Sequence, residues 1–93
     1  MSGTYAVRLS APAERGIAAL PAKHVDPVIA YVFDRLPLDP YRMSKPLQRE
    51  LAPWRSSRVG PNMRILFEIV ATETGPDLIL VHAVDYRSDV YRR

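Results

Sequence analysis

The chain has no cysteine among its 93 residues, so disulfides, thiolate chemistry and cysteine-based zinc sites are excluded, and nothing in it depends on an oxidising compartment. Long apolar runs are missing as well: charge or proline interrupts each one well short of the ~18 residues a membrane helix needs. The N-terminus lacks the basic-then-apolar order of a secretory signal, so a cytoplasmic protein without a membrane partner is expected. Histidine is scarce. His24 and His82 stand far apart without flanking ligand patterns, which provides no metal site, and both read as structural residues. What remains, 47% hydrophobic and 25% charged, is the composition of one small globular domain spanning residues 1–93, too small for a deep cavity, so any site on it should be shallow.

Charge is abundant and unevenly placed. The net charge is +3, but the segment from Arg42 to Arg64 carries Arg42, Lys45, Arg49, Arg55, Arg58 and Arg64 against Glu50 alone. The tail adds Arg87, Arg92 and Arg93 against Asp89. Of the 13 basic residues, 11 are arginine, the side chain suited to bidentate phosphate contacts and to stacking on bases. A polyanionic partner is the natural expectation.

The order of elements follows from periodicity. Tyr5, Val7 and Leu9 alternate with Ala6 and Arg8, as a strand with one buried face does. Ser10, Pro12 and Glu14 form a helix start, and Ala13, Ile17 and Leu20 fall at helical spacing up to Pro21. A second helix carries the stripe Val25, Val28, Ile29, Val32, Phe33 and Leu36, with Pro27 tolerable only in its first turn. Four prolines between 37 and 53 indicate a structured loop. Three β segments follow, Trp54 to Val59, Met63 to Val70 and Leu78 to Val84, joined by turn residues at Gly60-Pro61-Asn62 and at 73–77. This is an α+β domain of order β-α-α-β-β-β, with a helical hairpin packed on one face of a small antiparallel sheet. The opposite face has no obvious cover and is bordered by the basic residues. Trp54 reads as core or sheet-edge packing, and His82 shares an apolar strand with Leu80 and Val84.

Several motifs carry a resemblance. Lys45-Pro46-Leu47, Glu50-Leu51, Trp54, Arg58-Val59-Gly60, Arg64-Ile65-Leu66-Phe67-Glu68-Ile69 and Asp89-Val90-Tyr91-Arg92 resemble the RelE/ParE superfamily of toxins from bacterial toxin–antitoxin modules, over almost the whole chain. The resemblance implies a toxin neutralised by a RelB-like antitoxin, through which the complex would bind operator DNA. In the RelE branch it implies a metal-free, cofactor-free endoribonuclease that cleaves mRNA on the ribosome by attack of a ribose 2′-hydroxyl on its own 3′ phosphate. Carried onto this chain, Arg64 would contact the scissile phosphate and Tyr91 would stack or assist proton transfer. Arg58 and Arg87 would complete the catalytic set, while Arg55, Lys45 and Arg49 would bind RNA. The chain departs from the family pattern at Met63, where an aromatic is usual, and at Asp85, where an arginine is usual. Two further readings stay open: a ParE-like poison of DNA gyrase, and a member that binds only its antitoxin.

Overall fold

The structure, a computed structural model, describes residues 5–86. Strand β1 spans Tyr5–Leu9, helix α1 Ala11–Ala18 and helix α2 Ala22–Ala30, followed by a π turn at Tyr31–Arg35 and a 3-10 turn at Leu36–Leu38. Strands β2 (Lys45–Pro46), β3 (Arg55–Val59), β4 (Met63–Val70) and β5 (Asp77–Tyr86) complete the order. The expected β-α-α-β-β-β arrangement with two helices on one face is present. Two features were not foreseen. A fifth strand, β2, lies within the proline-rich loop and pairs with the outer edge of β3, and β1 joins β5 in parallel, giving a mixed sheet of order β1-β5-β4-β3-β2. Residue alternation is the same in parallel and antiparallel strands, so direction was not readable from it.

Ser10 ties the first turn to the sheet. Its hydroxyl accepts from the Ala13 N–H at 3.2 Å and donates to the His82 carbonyl at 3.1 Å, so one side chain caps α1 and anchors it on β5. In α2 the expectation for Pro27 is corrected. The helix begins at Ala22, which puts Pro27 in its interior, where the ring cannot donate to the carbonyl four residues back. The hydrophobic stripe is also narrower than its sequence spacing suggests. Val28, Val32 and Leu36 are fully buried, but Ile29 and Phe33 are 39% and 44% exposed, because one helix cannot turn so wide an apolar face onto a single sheet.

The core joins Ala13, Ile17, Leu20, Val28, Val32 and Leu36 from the helical layer to Met63, Ile65, Phe67, Ile79 and Val81 from β4 and β5. A bulge keeps the two strands in phase. Leu66 pairs with Ala83 but Phe67 with Val81, so β5 has one extra residue at His82. Below the bulge Ile79 and Val81 face the helices, and above it Val84, paired with Ile65, does so. His82 therefore lies on the opposite face from Val84, against the simple alternation expected of that strand.

Ser57 is the buried polar residue of the core layer, 1% exposed. Its hydroxyl bonds the Tyr31 phenol and reaches the Met43 carbonyl at 2.7 Å, linking the end of α2, β3 and the loop. Removing it leaves two polar groups without a buried partner, so Ser57→Ala should lower unfolding free energy by about 1–3 kcal/mol. A urea titration followed by circular dichroism measures this, and an unchanged midpoint would contradict it.

Candidate functional site

All the fully buried strand residues lie on the helical side of the sheet, and their neighbours Arg58, Arg64, Leu66 and Glu68 face the other way, exposed or half-buried. On that open face β3 and β4 set Arg58 directly opposite Arg64. Both are exposed. A guanidinium stays cationic at any working pH, and like charges directly opposite on neighbouring strands destabilise a sheet. Folding alone gives no reason for this pair. On its other side Arg64 is in register with Asp85 of β5, which moderates the local charge without cancelling it.

The register also brings in the proline-rich loop. Lys45 pairs with Ser56 across the edge of the sheet, and the loop wraps an open groove of about 690 Å³ lined by Arg42, Lys45, Arg58 and Arg64, with Ser44 and Ser56 among its polar walls. Three guanidinium groups and one ammonium around one shallow groove, with hydroxyls between them, suit an extended phosphodiester chain better than a small enclosed ligand. The turn that links the two arginine strands depends on Gly60, whose φ of 66° is the left-handed region that side chains avoid.

Of the residues singled out by sequence, Arg64, Arg58 and Lys45 meet at this groove. Arg55 does not. It alternates onto the helical side, where its Nε donates to the Ser44 hydroxyl at 2.7 Å, its Nη2 donates to the Tyr41 carbonyl at 3.2 Å, and its guanidinium lies 5.0 Å from the Tyr41 ring centre. These contacts tie β3 to the loop that carries Arg42 and Lys45. Arg49 stands in the exposed turn Arg49–Leu51 with φ 61° and is not part of the groove wall. Arg87 and Tyr91 lie outside the described residues. β5 ends at Tyr86 in register with Met63, one position from Arg64. Arg42 was counted in the basic segment by sequence without being assigned a role, and its nearness to Lys45 was the available signal.

Another group on the open face was missed. Glu68 and His82 meet at 3.1 Å between Oε1 and Nε2, and the Trp54 ring stacks on the imidazole with centroids 4.1 Å apart and planes 9° from parallel. Trp54 thus lies outside the core, which removes the first of the two placements its sequence reading allowed, core or sheet-edge packing. Among the described residues no three histidine, aspartate or glutamate side chains cluster as a metal site, and no helix is long and apolar enough to cross a membrane.

A helical hairpin on one side of a small mixed sheet, with a cationic groove on the other, defines the class of protein at hand. No family model matches the chain. It is 37% identical over 89 residues to the toxin RelG of Mycobacterium tuberculosis, covering 96% of this chain and 98% of that one. It also resembles the toxin of the RelBE2 toxin–antitoxin complex from the same organism, with a TM-score of 0.79 and 33% identity over 90% of this chain and 99% of the other. YafQ of Escherichia coli shares the fold with a TM-score of 0.59 at 14% identity, over 91% of this chain and 96% of that one. The chain belongs to the RelE-like family of toxin–antitoxin toxins.

Proposed function

We propose that this toxin is a ribosome-dependent endoribonuclease, acting in the cytoplasm as one domain and held in check by a RelB-like antitoxin. The observation that carries the reading is the in-register, exposed Arg58–Arg64 pair facing a groove with Arg42 and Lys45. Cleavage begins when a ribose 2′-hydroxyl attacks the adjacent 3′ phosphate. A cyclic 2′,3′-phosphate forms as the bond to the next ribose 5′-oxygen breaks, and that oxygen must gain a proton. Charge accumulates on the phosphoryl oxygens in between. Arg64 and Arg58 present planar donor forks where that charge develops, which is the contribution a fixed cation makes best.

Arginine is a poor base, and the groove is open, so the protein by itself does little to hold the nucleotide in line. Placement of the message by the ribosome would supply that geometry. By family resemblance Tyr91 would assist the proton transfers. Similar toxins have been solved bound to their antitoxins, in the RelBE2 and DinJ–YafQ complexes, which supports an antitoxin partner here; operator binding through that partner is what the family resemblance implies.

The test is a reconstituted translation reaction containing the purified toxin. Codon-phased cuts in ribosome-bound message are expected, and addition of the antitoxin should abolish them. Intact message at high toxin concentration, with inhibition in a gyrase supercoiling assay, would overturn this reading in favour of a ParE-like poison.

A further inference from the structure

Trp54 is half-buried on the open face of the sheet and takes no part in the core. One side of its indole is occupied by the His82 ring, parallel within 9° at 4.1 Å. The imidazole is held in turn. A carboxylate oxygen can only accept, so His82 Nε2 carries the proton in its 3.1 Å bond to Glu68. Glu68 comes from β4 and His82 is the bulged residue of the adjacent β5, so the indole rests on a support braced by the sheet itself. The result is a rigid, oriented aromatic surface on the same face as the cationic groove.

The spacing along the sheet connects the two. Arg55 pairs with Phe67, so Trp54 stands beside Glu68 as Arg58 stands beside Arg64. Four residues of strand separate the two rows, about 13 Å, and the row between them holds Ser56 and Leu66. No acidic side chain stands in that row. A strand of RNA with a phosphate at the Arg58–Arg64 pair can run along this track and bring a base to the indole.

We propose that Trp54, positioned by His82 and Glu68, is a stacking platform for an unpaired nucleobase of the RNA strand whose phosphate lies at Arg64. This subsite rests on the ribonuclease reading above. Stacking on an aromatic platform is tolerant of base identity, because every base offers a π face. The subsite therefore orients the strand in the groove without selecting sequence, and Trp54, His82 and Glu68 are positioning residues.

The chain has a single tryptophan, so indole fluorescence reports on this residue alone. The free toxin is titrated at low salt with a short oligoribonucleotide and with an abasic ribose-phosphate chain of the same length. The base-bearing chain should quench the emission and bind roughly ten- to hundredfold more tightly than the abasic chain. Trp54→Phe should keep most of that advantage and Trp54→Ala should erase it, read by the fluorescence anisotropy of an end-labelled chain because these variants carry no indole. Equal affinity for the two chains with unchanged emission overturns the subsite, and if Arg64→Ala still weakens both, the RNA reading survives. Failure of both chains to bind also overturns the subsite. If ribosome-bound message is uncut as well, the ribonuclease reading falls with it.

Discussion

Arg64→Ala should slow cleavage of ribosome-bound message by about 10²–10³-fold, the loss associated with removing one preorganised donor from a transition state that gathers negative charge. The loss should fall mainly on kcat. The groove retains Arg42, Lys45 and Arg58, and these keep much of the ground-state attraction for the phosphate chain. Arg64→Lys should recover only part of the rate, since an ammonium supplies a point charge where the guanidinium supplies a planar fork. Because Arg64 is exposed, neither change should unfold the protein, and unaltered thermal melting would confirm that chemistry is being measured. Single-turnover cleavage on programmed ribosomes is the measurement. Cleavage by Arg64→Ala at the wild-type rate would remove the proposed role of the Arg58–Arg64 pair.

Phe67→Ala should act through the fold. Phe67 is fully buried in the middle of β4, in register with Arg55 on one side and Val81 on the other, and sits just beyond the bulge. Truncating such a ring costs about 3–5 kcal/mol, a large share of the roughly 5–15 kcal/mol that holds a small domain together. The melting midpoint should drop by well over about 10 °C, given the 4–8 °C expected per kcal/mol at this size. Calorimetry or circular dichroism reads it directly, and a shift of only a few degrees would show that the strand does not anchor the core as described. Any loss of cleavage in this variant should follow the unfolded fraction, which separates it from the effect at Arg64.

Binary patterning made the strands and helices legible. Met63, Ile65 and Phe67 alternate with Arg64, Leu66 and Glu68, and alternation alone separates the two sets onto opposite faces of the strand. The helical stripe is legible in kind but not in width: Ile29 and Phe33 fall on it yet stay exposed, because periodicity does not state how much sheet is available to cover them. Basic residues were the less readable part of the site. Arg55 and Arg58 have the same charge and lie three positions apart, yet strand alternation sends one to hold the loop and the other to the groove.

Local periodicity, the capping serine and the crowding of arginine between Arg42 and Arg64 were determined by the chain on its own, since each depends on neighbours in the sequence. Strand direction, the bulge at His82, and the meeting of Arg42 and Lys45 with Arg58 and Arg64 were decided only by the tertiary structure. These depend on register between segments distant in the chain, and register is set by how the buried faces of those segments fill one core. The same cause puts Trp54 on His82 and Glu68: an extra residue in β5 carries a histidine to the open face, where alternation by itself had no means of showing what it would meet.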